Sequence, residues 1–220
     1  MIAGDEARRL GEEIAGWLAP GCERVVVAGG ARRGADRCHD IEIVCLPRVV
    51  TLPRILLEPE RVDLLAPIVD RLIASRRWER DARVPRWGDR HKRLWLPSAG
   101  VAVELYIARA GNFGNILAIR TGNSAFSRAL VTKRRQGGLL PDGLWQLHGY
   151  LWDYAPSADE RLMLTNPPRP PLACPDEAAF FARLGFPAVP DPRERDEEGA
   201  RRWREYFAAR AEAALPARQR

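Results

Sequence analysis

The sequence predicts an α+β fold, and three observations carry the prediction. Residues 25–46 read as strand, glycine turn, helix start and second strand. Residues 101–108, VAVELYIA, read as a further strand. Around these, Asp5–Leu18 and Arg61–Trp78 set apolar residues at helical spacing. Of the 220 residues, 46% are hydrophobic. That is enough for a real core, in one domain or in two small ones sharing an interface.

Taken in order, Asp5–Leu18 puts Leu10, Ile14 and Trp17 on one helix face, and Ala19-Pro20-Gly21 ends it. Val25, Val26 and Val27 are β-branched and suit a strand. They run into Gly29-Gly30, which lets the backbone turn sharply and approach a ligand. Ala31-Arg32-Arg33 then opens a helix, whose free N–H groups favour an anion, and Arg33 can add a bidentate phosphate contact. Asp40 to Leu46 is the next strand. Residues two apart share a face, so Asp40 and Glu42 stand side by side next to this turn. Such a pair suits divalent metals bridging a triphosphate.

Pro47–Pro59 is expected as a loop, and Arg61–Trp78 as a helix with Leu64, Leu65, Ile68, Val69, Leu72 and Ile73 on one face. Arg76–Arg93 carries eight Arg or Lys against three acids, interleaved with Trp78 and Trp87. It reads as a solvated basic loop or as a nucleic-acid backbone contact with stacking aromatics. Lys92–Leu96 is a strand turned by Pro97–Gly100 into Val101–Ala108. There Val101, Val103, Leu105 and Ile107 share one face, and Ala102, Glu104, Tyr106 and Ala108 the other. Glu104 is costly to bury unpaired, and a metal shared with Asp40 and Glu42 would relieve that cost.

Asn112–Ile119 suits a short helix. A second, Ala125–Gln136, ends at Gly137-Gly138 and carries Arg128, Lys133, Arg134 and Arg135 as a stripe. Leu144–Gln146 and Tyr150–Trp152, flanked by turn signals, form a small hairpin. Pro167–Pro175 is a connector. Asp176 caps a helix that Gly185 ends, and Asp196–Leu215 is a charged helix docked through Trp203, Phe207 and Ala211.

The formal net charge is +6, which favours an anionic partner. No apolar run reaches membrane-spanning length, and residues 1–20 lack a secretory core. Cys22, Cys38, Cys45 and Cys174 show no CxxC pairing, so zinc is not expected and reduced thiols are. GxSxG, Walker A and HExxH motifs are absent.

Taken together, Gly29-Gly30-Ala31-Arg32-Arg33 and Asp40-Ile41-Glu42 resemble the nucleotidyltransferase signature G-[GS]-x-x-R-x(6)-D-[IM]-[DE] of the DNA polymerase beta superfamily. Gly30 stands where that signature usually has Ser. Arg120-Thr121-Gly122-Asn123-Ser124-Ala125-Phe126-Ser127 resembles the thumb motif [YF]-[FW]-T-G-S-x-x-[FH]-[NR] of family X, which has a cis peptide after its glycine. Ile119-Arg120 departs from its aromatic pair. Residues 175–190 are similar to the segment closing that thumb. The resemblance runs from about Asp5 to Arg195.

It implies a nucleotidyltransferase palm over residues 1–110, a mixed sheet with two helices, then a small helical and β thumb over 111–195 and a helical extension over 196–220. It implies a short family X-like DNA polymerase, without room for the lyase domain, that adds deoxynucleotides to a DNA 3′-hydroxyl. Asp40, Glu42 and Glu104 would be catalytic and hold two Mg²⁺ ions, with Mn²⁺ an alternative; the family normally has Asp in the place of Glu104. Gly29, Gly30, Arg33, Arg120, Thr121, Gly122, Ser124 and Ser127 would bind the deoxynucleoside triphosphate. Lys92, Arg93, Arg128, Lys133, Arg134 and Arg135 would contact primer, template or gapped duplex. A monomeric cytoplasmic protein of bacterial or phage type, with no membrane partner, is expected. Two rivals stay open. One is a small-molecule nucleotidyltransferase of aminoglycoside-modifying type, or a template-independent one. The other is an inactive nucleic-acid-binding relative, suggested by Gly30, Arg120 and Glu104.

Overall fold

The computed structural model describes residues 1–53, 59–157, 159, 163 and 165–213. Its described residues form a mixed α+β fold with seven α-helices around a five-stranded mixed sheet. Strand β1 (Ile2–Ala3) leads into helix α1 (Gly4–Leu18), then come β2 (Cys22–Val27), α2 (Gly29–Arg33), β3 (Arg37–Cys38) and β4 (Asp40–Pro47). Helix α1 buries Ala7, Leu10, Ile14 and Leu18 along one stripe. Gly11 belongs to that stripe because a Cβ there would meet a Val27 methyl at 2.9 Å, so the helix lies close on β2.

The stretch expected as a loop after β4 holds a hairpin instead, β5 (Val49–Leu52) paired with β6 (Glu60–Asp63); residues 54–58 lie outside the described residues. Helix α3 (Leu65–Ala74) therefore starts later than its apolar periodicity suggests. The Asp63 carboxylate accepts the Leu65 N–H at 2.7 Å and sets that start. The helix also ends before Trp78, which is fully buried with its ring centre 6.3 Å from that of Trp17.

Next come β7 (Glu79–Arg80), β8 (His91–Leu96) and β9 (Val101–Ile107). The sheet order is β2-β4-β9-β8-β7. Within it β4 and β9 run parallel, and the other neighbours antiparallel. One face carries Ile41, Ile43, Cys45, Val101, Val103 and Leu105 into a core shared with α1 and α3. The other carries Val44, Leu46, Tyr106 and Ala108 onto helix α4 (Phe113–Thr121), through Phe113 and Leu117.

A second core follows. Helix α5 (Ser124–Val131) is capped by Asn123, whose side chain accepts the Phe126 N–H at 2.9 Å. It stops at Thr132, short of the expected Gln136, and Arg134–Gln136 form a separate 3₁₀ turn. Strands β10 (Trp145–Leu147) and β11 (Tyr150–Trp152) make the expected hairpin. Both residues of its turn, His148 and Gly149, are left-handed, with φ of 56° and 80°. Helix α6 (Glu177–Arg183) is capped by Asp176 as read from the sequence. Helix α7 (Glu197–Ala213) docks Ala200 and Phe207 into this second core. The C-terminal segment is thus an integral wall of that core; the expected helix end at Leu215 lies outside the described residues.

Candidate active site

Parallel pairing of β4 with β9 sets Glu42 directly beside Glu104 and Asp40 beside Ala102. Paired residues of adjacent strands share a face, so all three carboxylates emerge on the α4 side of the sheet. Burial and the charge of Glu104 raise the Asp40 carboxyl above its usual range. Burial and the charge of Asp40 push Glu42 up to about 7, although Arg120 and Arg33 pull it down. Among the described residues the Glu42 carboxylate makes no hydrogen bond or ion pair.

Glu104 is in a different state. Its side chain is buried, with 6% of the residue exposed. Arg93 donates to one carboxylate oxygen and the Tyr106 hydroxyl to the other. His91 Nε2 lies 3.1 Å from that second oxygen. Burial alone would raise this carboxyl, but the His91, Tyr106 and Arg93 contacts outweigh it and hold it at about 2. The burial cost that the sequence assigns to a metal is therefore met by protein groups. Arg93 in turn donates from Nε to Asp81 at 3.0 Å and lies 3.8 Å from Asp40. His91 stacks on Tyr106 with ring centres 4.6 Å apart. On the opposite side the Arg120 guanidinium sits 4.0 Å from the Tyr106 ring centre and donates to its hydroxyl at 3.3 Å.

The glycine turn lies under Glu42. Gly29 has φ of 62°, and a Cβ there would come 2.0 Å from a Glu42 carboxylate oxygen. Only glycine meets both demands. A Cβ on Gly30 would meet Cys38 Sγ at 2.9 Å, which explains the missing hydroxyl at this position. Helix α2 spans only five residues. Arg33, expected at a phosphate, instead donates to the Thr121 carbonyl at 2.7 Å, and Arg32 donates to the Thr121 hydroxyl at 2.7 Å. Arg32 also forms a two-pronged pair with Glu177, at 2.9 and 2.6 Å. The other partner of Glu177 is the fully buried Arg195.

Thr121 is therefore buried between the two cores. Gly122 has ordinary extended φ and ψ of −62° and 153°, and no cis peptide occurs among the described residues. Its constraint is space, since a Cβ would meet Ser127 Oγ at 2.8 Å. The Ser127 hydroxyl lies 2.5 Å from the Ile119 carbonyl and 3.0 Å from that of Gly122. It thus ties α4 to α5, while Ser124 is exposed at the start of α5.

The six basic residues expected at DNA divide. Arg93 faces the carboxylates, as described. Lys92, one residue away, pairs with Leu105 and so takes the other face of the sheet; its ammonium lies 4.7 Å from the Trp87 ring centre. Arg128 and Arg135 are exposed. Lys133 donates to the Asp142 carbonyl at 2.7 Å and covers Trp145 at 3.5 Å. Arg134 points inward, donating to the Leu184 carbonyl and covering Phe207 at 3.7 Å. The break in the expected helix at Thr132 is why these four do not form one stripe.

Two clefts, of about 650 and 630 Å³, share Asp89, Arg90 and Arg109. The larger reaches Leu46, Pro47 and Ile107, at the far end of β4 and β9 from Asp40. The smaller is walled by Arg86, Trp87, Arg90, His91 and Arg109, so it borders the carboxylate network through His91. Sequence reading puts His91 in a turn, whereas it opens β8, and gives Tyr106, Asp81, Arg32 and Glu177 no role of their own.

Asp40 and Glu42 fit a divalent cation as a pair, because their raised carboxyls are relieved by positive charge. At Glu104 an ion would have to compete with Arg93 and Tyr106, which already donate to its two oxygens. Among the described residues no group of three or more His, Cys, Asp or Glu side chains is disposed to hold an ion. No helix among them is long and apolar enough to cross a membrane. Comparison with protein-family models finds no match, and comparison with curated proteins finds no relative.

Proposed function

We propose that this chain is a metal-dependent nucleotidyltransferase that adds deoxynucleotides to a DNA 3′-hydroxyl, as a short relative of the family X polymerases. The observation supporting it is the β4–β9 register, which sets Glu104 beside Glu42 above the Gly29 turn. Neither motif alone implies that juxtaposition. The hydroxyl would attack the α-phosphorus and lose its proton to solvent, the bond to the β-phosphate would break, and pyrophosphate would leave. Asp40 and Glu42 would hold the cation. Once bound, Mg²⁺ would neutralise phosphate charge and polarise the reacting oxygens. Arg120, stacked on Tyr106 beside Glu42, would receive a phosphate. The basic cleft around Trp87 suits a nucleic-acid backbone with a stacked base.

A second reading, a nucleic-acid-binding relative without turnover, is favoured by the occupation of Glu104 and by the Arg33–Thr121 contact. One experiment separates these. Labelled nucleotides and Mg²⁺ are offered with gapped duplex, single strand, RNA and aminoglycoside acceptors. Labelling of gapped duplex that is abolished in Asp40→Asn supports the first reading. DNA binding without labelling supports the second, and a labelled aminoglycoside overturns both.

A further inference from the structure

We propose that Arg93 is a resident cation of the carboxylate cluster, so that the site takes one divalent ion, at Asp40 and Glu42, and excludes a second between Asp40 and Glu104. This rests on the nucleotidyltransferase reading and departs from the two-ion site that the resemblance implies. The Arg93 guanidinium contacts Glu104 directly and lies 3.8 Å from Asp40 through the same nitrogen, Nη1. It thus stands between the two carboxylates that would share the second ion.

Arg93 is also anchored. Its Nε donates at 3.0 Å to Asp81, whose side chain is 2% exposed. Asp81 is held from its other side by Arg83 at 3.0 Å. Withdrawing Arg93 would strip a buried partner from Glu104 and from Asp81 together, and a buried acid deprived of its partner is strongly destabilising. A second divalent ion between Asp40 and Glu104 would also crowd like charge against Arg93.

The test counts ions with Mn²⁺ alone at pH 8, by electron paramagnetic resonance of the free ion, with circular dichroism as the folding check. We expect one Mn²⁺ per wild-type chain, at least 10-fold weaker binding in Asp40→Asn, and a second Mn²⁺ in Arg93→Gln. Arg93→Lys, which keeps the charge, should still bind one. Two ions in the wild type overturn the proposal and leave the nucleotidyltransferase reading standing. One ion in both wild type and Arg93→Gln also overturns it. No ion in any of them removes the metal site and that reading with it. The wild-type count decides even if Arg93→Gln fails to fold.

Discussion

Arg93 and Glu104 face each other across the β8–β9 hairpin, guanidinium to carboxylate, inside a layer that also holds Tyr106, His91 and Asp81. Replacing Glu104 by Gln leaves Arg93 with a neutral partner in a buried site. Because Asp81 still holds Arg93, the cost should be about 1–3 kcal/mol, to be read by urea unfolding at pH 7. A carboxyl held at about 2 in the folded state contributes its stability above the unfolded value and loses it as pH falls toward 2. The gap between wild type and Glu104→Gln should therefore shrink from about pH 4.5 downward. A gap below about 1 kcal/mol at pH 7 would mean that the pair carries no stability.

Glu42 has the opposite sign. Its folded carboxyl is raised to about 7, so the folded state keeps a proton that the unfolded chain has released. Stability should fall as pH rises from about 4.5 to 7. Glu42→Gln should flatten that slope, leaving the part due to the raised Asp40 carboxyl, and stabilise the apo protein at pH 8 by a few kcal/mol, on the order of 1.4 kcal/mol for each pH unit between the folded and unfolded values. Mn²⁺ should raise the wild-type melting temperature at pH 8 and do much less at pH 5, where Glu42 holds its proton. Equal pH profiles for wild type and Glu42→Gln would refute the assignment.

Gly29→Ala should be severely destabilising, by about 2 kcal/mol or more. It combines a left-handed backbone with a methyl driven onto the Glu42 carboxylate. Gly30→Ser should be tolerated better in a Cys38→Ala background than alone, because Cys38 Sγ holds the space. Identical melting temperatures for Gly30→Ser in the two backgrounds would contradict the packing account.

DNA affinity should drop about tenfold or more between roughly 50 and 200 mM salt if several phosphates are contacted. Trp87→Ala, which removes the exposed ring covered by Arg80 at 4.2 Å and by Lys92, should weaken single-strand binding by about 1–3 kcal/mol. Arg134→Ala, facing inward over Phe207, should act on stability and leave the salt slope unchanged. A salt-independent affinity in fluorescence anisotropy would count against nucleic acid as the partner.

Much of the five-stranded sheet was legible. Strand β9 was readable from its alternation, and β4 from the Asp40–Leu46 run, because a two-residue period leaves little choice of face. Even the Arg93–Glu104 pair was within reach. A tight turn at Pro97–Gly100 pairs Leu96 with Val101 and, counting back, Arg93 with Glu104. On that count, Arg93 is a counter-charge and Lys92 lies on the other face. The parallel partner of β4 was not readable, since a crossover connection leaves no local trace of its register. Nor was the true span of α3: Leu64 fits the helical period, but Asp63 and the β5–β6 hairpin decide where the helix begins. The basic run 128–135 misled for a similar reason, because charge content does not reveal that Thr132 ends the helix or that Arg134 turns inward.

The clasp of Arg32 on Glu177 joins positions 145 residues apart in the chain. During synthesis at about 5–20 residues per second, Arg32 and Arg33 emerge roughly 7–30 s before the carboxylate that holds Arg32. Arg195, which completes the clasp, comes later still. The sheet and its carboxylates can form in that interval, and Arg32 and Arg33 can already reach Thr121, but the Glu177 side of the clasp cannot close. Closure of this clasp therefore comes late in synthesis and across a long loop. Replacing Glu177 should speed unfolding and leave the early appearance of the strands untouched.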